Sequence, residues 1–263
     1  MGRFEQSIRL RRTGAGRHQA QIGPEWCIAG APNGGYLMAL CLQALGACCA
    51  RPHPVAATAH YLARSSPGQA SVQSRLLRRG RALETAEAVL SQGSAQVKCV
   101  GTFGDLGEID GPEFIEQPAP EWPAPEDCVP VANLFPPAAG LAREIDMRLP
   151  PDNTGWTRGE TAPRGELRLW QRFTDESDGT LPALALFGDT SPPAVYAAVG
   201  MHRWVPTIEY SVQFRASPAP GWLQCRFLTR YLTRGLLEED GEIWDSHGRL
   251  VALTRQLAWL RDG

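Results

Sequence analysis

The sequence predicts an α+β fold in which antiparallel sheet covers a buried helix, and it predicts that plan twice. Three observations carry this. The run GGYLMALCLQALGACCA after Asn33 has helical spacing yet is apolar almost all round, so it belongs inside the molecule. Residues 54–103 and 207–260 are strand-rich blocks with turn signals at regular intervals. The blocks also superpose. With a shift of 153, His60-Tyr61 falls on Gln213-Phe214, Pro67-Gly68 on Pro220-Gly221 and Arg81 on Arg234, and after a two-residue insertion Gly93 meets Gly248.

Taken in order, residues 3–10 and 18–22 read as two short strands paired across Gly14–Gly16. Asn33 is a fitting N-cap for a helix reaching about Ala50, and Gly34 and Gly35 let another backbone or a ligand approach its first turn. Strands are expected at 55–62, 70–78, 83–91 and 96–103, several alternating polar with apolar as an antiparallel sheet with one wet face requires. Residues 105–138 are rich in proline and acidic residues without periodicity. They read as a surface-packed linker carrying Trp122, Val129, Leu134 and Phe135. Beyond it come strands at 141–149 and 165–173, then a helix over 181–191 stopped by Pro192-Pro193. Four strands follow at 207–215, 223–231, 235–244 and 250–260. The units are thus 1–104, a linker of 105–138, and 139–263.

Composition excludes several classes of function. A net charge of -2 on 263 residues gives no basic surface for nucleic acid. No apolar run approaches the roughly 18 residues that cross a bilayer. The N-terminus carries no export signal, and seven cysteines without a C-x-x-C pair or histidine cluster suit reduced thiols in the cytoplasm rather than a metal site. No G-x-S-x-G elbow, H-E-x-x-H, Walker loop or dinucleotide fingerprint is present, so no cofactor is implied. No serine or cysteine lies in an activating motif, which disfavours a covalent acyl-enzyme.

The polar residues that invite chemistry are scattered, and each has a plain alternative. Asp189 ends an apolar helix, where an ionised carboxylate needs a partner, or it is simply an exposed helix-end residue. Gln256 is a polar residue of the closing strand between Leu253 and Leu257, or lies on that strand's wet face. Thr207 opens a strand, where threonine is common. His60 could titrate near neutrality, or be an ordinary strand histidine. Arg78, Arg79 and Arg81 flank a hairpin turn, as phosphate ligands or as a solvated turn.

The duplicated plan resembles a double hotdog, two antiparallel sheets each wrapped around a central helix. PNGGYLMAL (32–40), HPVAATAHYLARSSPG (53–68), FGDTSPPAVY (187–196), PTIEYSVQFR (206–215) and GRLVALTRQ (248–256) resemble the acyl-CoA thioesterase II family. The resemblance implies hydrolysis of an acyl-CoA or acyl-carrier thioester by a water that Asp189, Thr207 and Gln256 gather, with Asp189 as base. In a duplicated hotdog the two helices lie side by side, which suggests the Asn33-Gly34-Gly35 helix end, with a Gly35 or Tyr36 N–H, as the oxyanion donor, and His60, in the strand after the first helix, joins the candidate substrate-binding set. Arg78, Arg79 and Arg81 would then meet the CoA phosphates. Glu209 stands where relatives often carry Asp, and the linker is longer, which bears on acyl specificity more than on reaction. Two other readings remain open, a non-catalytic acyl-CoA-binding protein and an enoyl-thioester hydratase or dehydratase. Such sheets pair edge to edge, so a homo-oligomer is a further expectation. Pro54 stands where the second copy has Thr207, and Gly101 where it has Gln256, which points to one active site per chain.

Overall fold

The computed structural model describes residues 1–134, 140–201 and 205–260. Phe135, named in the linker, lies outside the described residues, as do His202 and Trp204. The chain opens not with a strand but with a short helix, α1 (Arg3–Ser7). Phe4 and Ile8 are both fully buried, and their spacing of four residues puts both on one helix face, which strand alternation would not do. Strands β1 (Arg11–Gly14) and β2 (Arg17–Ile22) form the hairpin, and a small ribbon of β3 (Cys27–Ile28) and β4 (Ala31–Pro32) leads to helix α2 (Gly34–Gly46). Asn33 caps α2, accepting from the Tyr36 N–H. Ten residues of α2 are buried, and the helix ends at Gly46, short of Ala50.

The first block is β5 (His53–Tyr61), β6 (Gly68–Arg79), β7 (Glu84–Gln92) and β8 (Ser94–Gly104), all packed on α2. Residues 105–134 then run over the other half. Trp170 donates to the Pro123 carbonyl, and β9 (Val129–Pro130) adds a strand to β10 (Ile145–Leu149). A 3₁₀ turn occupies Gly140–Arg143, where the sequence suggested strand. Strand β11 (Gly165–Phe173) precedes helix α3 (Leu181–Phe187), which stops before Gly188 and leaves Asp189 beyond its end. A further turn of helix, α4 (Tyr196–Val199), lies beyond the two prolines. The second block is β12 (Thr207–Phe214), β13 (Leu223–Thr229), β14 (Leu232–Thr233), β15 (Leu236–Trp244) and β16 (Leu250–Trp259).

The expected two sheets are one. Among the described residues a 14-stranded sheet runs in the order β1-β2-β6-β7-β8-β5-β12-β16-β15-β13-β11-β10-β9, with β14 beside β15. Apart from β9 the order reads as a palindrome centred on the β5–β12 pair. Its register pairs Thr58 with Ser211, Ala56 with Gln213 and His60 with Glu209. The 153-residue offset that separates Thr58 from Ser211 carries Ala56 to Glu209 and His60 to Gln213, so it exchanges these pairs among themselves. The sequence repeat is therefore a local two-fold axis, passing between Thr58 and Ser211.

Helices α2 and α3 lie side by side beneath the sheet junction. Gly35 makes this possible: a Cβ there would sit 2.2 Å from the Ala185 carbonyl oxygen of α3. The N-terminal segment crosses the halves, since Phe4 stacks on Phe173 with ring centroids 5.3 Å apart and Arg3 pairs with Glu144.

Candidate active site

The N-terminal end of α2, the segment after α3 and the ends of β12 and β16 meet at one cleft of about 890 Å³. Asn33, Gly34, Tyr61, Asp189, Thr207 and Gln256 all line it.

Asp189 is held by the first turn of α2. Its carboxylate Oδ2 accepts from Asn33 Nδ2 at 2.9 Å and from the Gly35 N–H at 2.8 Å, while Asn33 also donates to the Asp189 carbonyl at 2.7 Å. Gly34 has to lack a side chain here, because a Cβ would lie 2.9 Å from the Tyr61 hydroxyl and 3.0 Å from Asp189 Oδ2. Burial pushes the Asp189 carboxyl up to about 6, and the amides of Gly35 and Gly34 and the Asn33 side chain limit the rise. A carboxylate so placed can take up and release a proton near neutrality.

The second cluster comes from the closing strands. Thr207 Oγ1 donates to Gln256 Oε1 at 2.8 Å, and Gln256 Nε2 donates to Glu239 Oε1 at 2.8 Å. Glu239 is only 2% exposed, and its other oxygen accepts from the Ala194 N–H. Burial is the main cause lifting its carboxyl to about 7; the Ala194 and Gln256 donors oppose this, and the negative charges of Asp189 and Asp240 add to it.

The structure thus brings Asp189, Thr207 and Gln256 to one cleft and corrects three other expectations. The Gly35 and Tyr36 amides are not open to an oxyanion, since Asp189 takes the first and the Asn33 cap the second. His60 is exposed and does not line the cleft; strand alternation turns its neighbour Tyr61 inward instead. Arg78, Arg79 and Arg81 lie at the far end of the 12-residue β6, roughly 40 Å of strand from the end nearest the cleft. There Arg79 pairs with the buried Glu84, which accepts the Ala50 and Arg51 amides and fastens the chain after α2. Among the described residues, the cation that lines the cleft is the exposed Arg64.

Two site residues escaped the sequence reading. Glu239 had a signal: in Leu236–Trp244 the inward face is Leu237, Glu239, Gly241 and Ile243, so period-two alternation places a carboxylate among core residues. Tyr61 had the same alternation against His60. Its hydroxyl is buried beside Gly34 without a hydrogen-bond partner, and burial holds the phenol well above its usual range and therefore protonated.

Among the described residues no group of three histidine, cysteine or acidic side chains is arranged to hold a metal ion, and no helix is long and apolar enough to cross a membrane.

Comparison with known proteins gives the family. Residues 22–104 match the acyl-CoA thioesterase N-terminal domain, and residues 125–260 match the acyl-CoA thioesterase C-terminal domain. An uncharacterised protein of Mycobacterium tuberculosis is 32% identical over 91% of this chain and 89% of its own length. The crystal structure of a candidate thioesterase II from Thermobifida fusca superposes with a TM-score of 0.91 at 29% identity, covering 100% of this chain and 98% of that one. A hot dog protein of unknown function from Alicyclobacillus acidocaldarius superposes with a TM-score of 0.90 at 21% identity over 100% and 99% of the two chains, a likeness of fold. The chain has the hot dog fold, belongs to the acyl-CoA thioesterase family, and is a thioester hydrolase.

Proposed function

We propose that the chain hydrolyses an acyl-CoA or acyl-carrier thioester by direct attack of one water held between Asp189, Thr207 and Gln256. The observation that supports this most is the pairing, in one cleft, of a carboxylate poised near 6 with a threonine–glutamine hydrogen-bonded pair. Thr207 spends its proton on Gln256, so its oxygen can accept from the water, and the second N–H of Gln256 can donate to the water. Asp189 takes the water proton as the oxygen bonds to the thioester carbon. Collapse of the tetrahedral intermediate breaks the C–S bond, and the proton held by Asp189 goes to the leaving thiolate. No enzyme–acyl bond forms. Asn33, Gly34 and Gly35 serve here as positioning groups for Asp189. Three cleft-lining hydroxyls, of Tyr61, Ser65 and Ser191, are buried without a partner, and we assign Tyr61, which lies against Gly34 beside Asp189, as the donor to the developing oxyanion. Arg64 replaces the three hairpin arginines as the cation that meets the carrier's phosphates.

Free thiol released from a panel of acyl-CoAs, with acyl-carrier-protein thioesters beside them, tests the reading. We expect turnover by the wild type and a fall of about 10²-fold for Gln256→Ala. Tight binding without thiol release would favour a non-catalytic acyl-binding protein. Hydration of an enoyl-CoA without thiol release would favour a hydratase, although no histidine lines the cleft among the described residues. A reducing cytoplasm, which suits seven free cysteines, and a homo-oligomer through sheet contacts complete the reading.

A further inference from the structure

We propose that Glu239 is a positioning residue that fixes which way the Gln256 carboxamide faces, and through it whether Thr207 accepts from or donates to the attacking water. The inference rests on the hydrolytic reading above. An ionised carboxylate only accepts hydrogen bonds. Glu239 faces Gln256 at 2.8 Å, and turning the carboxamide over would set two oxygens against each other at that distance inside a buried site. Nε2 therefore faces Glu239, Oε1 faces Thr207, and the threonine hydroxyl must donate to it at 2.8 Å. The lone pairs of Thr207 are left for the water. The Ala194 N–H holds the far oxygen of Glu239, so the carboxylate cannot swing away without losing that bond.

A proton on Glu239 reverses the chain. The Glu239 O–H can donate to Gln256 Oε1, Nε2 then donates to Thr207, and Thr207 points its own proton at the water. Asp189 and Thr207 now no longer both accept from the water, and the nucleophile loses its alignment. The groups facing Glu239 are the Ala194 amide after α3, Gln256 on β16, Asp189 across the cleft, the Tyr210 phenol on β12 and Asp240 beside it on β15. Asp240 is neutralised outward by Arg255 and Arg230. With the Glu239 carboxyl near 7 and Asp189 near 6, both act within the range where the enzyme would be assayed.

Glu239→Gln tests the lock while keeping shape. Its oxygen can stay on the Ala194 amide, so its NH₂ faces Gln256 and imposes the reversed chain at every pH. We expect kcat to fall at least 10-fold with KM within about twofold, and the limb of the pH–kcat profile near 7 to disappear while the limb near 6 persists. A purely structural role would lower activity without removing one limb. Independently of turnover, the Gln256 side-chain NH₂ resonances of the wild type should move with a midpoint near 7, and those of Glu239→Gln should stay fixed. Wild-type resonances flat from pH 5 to 9, or a variant with wild-type kcat and both limbs, would overturn the proposal. Absence of thiol release by the wild type would instead sink the hydrolytic reading, and the NMR titration would still decide on Glu239.

Discussion

The two ends of the paired helices are built alike and equipped differently. At one end, the cap Asn33 and the amides of Gly34 and Gly35 hold Asp189, which lies just past the end of α3. At the other end the cap is Thr180, the next residues are Leu181 and Pro182, and Cys48 lies just past the end of α2. Proline has no N–H to offer where Gly35 donates. Across the two-fold, Pro54 stands for Thr207, Gly101 for Gln256 and Phe214 for Tyr61. A groove of about 590 Å³ persists there, lined by Pro54, Phe103, Thr180 and Pro182. The duplication conserves the cavity, whereas the proposed chemistry uses a carboxylate, an amide to hold it and a polar pair opposite, and among the described residues one end alone brings these together.

The smallest change that pushes the equipped end toward the other is Tyr61→Phe, which removes one oxygen. If the phenol donates to the oxyanion, kcat should fall about 10²-fold with little change in KM. An unchanged kcat would return that role to another donor.

A second contrast concerns stability. Asp189 is held near 6 against an ordinary 3.8, and Glu239 near 7 against 4.5, so the folded state binds protons more tightly than the unfolded one. Stability contributed by these groups is therefore present at low pH and lost as pH rises from about 4 to 7. Each tenfold change in acidity is worth about 1.4 kcal/mol, so Asp189→Asn should stabilise the protein at pH 8 by up to about 3 kcal/mol. The gain should vanish near pH 4 in urea melts. Asp245, whose carboxyl is depressed despite burial because the amides of Ala219, Arg249 and His247 bond it, should show the opposite trend when replaced.

The least of the expected effects separates Arg64 from the hairpin arginines. Arg64→Ala should raise KM for acyl-CoA several-fold with kcat kept, because an exposed cation–phosphate contact contributes only about 1 kcal/mol. Arg78→Ala should leave both constants unchanged.

Much of this plan was legible in the sequence because its signals are local. The all-apolar helix behind Asn33, the hairpin glycines and the 153-residue offset each arise from short-range physics: a buried cylinder, a left-handed turn at Gly93 or Gly248, a repeated strand period. The single continuous sheet was not legible, since the β5–β12 pairing joins segments far apart in the chain and leaves no local mark. The same holds for the fate of the Gly35 amide, which a carboxylate 154 residues away consumes. Glu239, Tyr61 and α1 were readable in principle. The first two needed strict alternation through Glu238-Glu239-Asp240 and His60-Tyr61, and the third needed the Phe4–Ile8 spacing weighed as helical.

The measurement that bears most directly on one equipped end per chain is thiol release by Asp189→Asn over the same acyl-CoA panel. Asparagine can keep its oxygen toward Asn33 and Gly35, so the fold should persist with an unchanged circular dichroism spectrum. A fall of about 10³-fold or more is expected for every acyl chain, with the limb near pH 6 gone from whatever activity remains. Retained turnover in a folded Asp189→Asn protein would contradict it and place the reaction elsewhere, with the groove at Pro54 and Thr180 the first place to look.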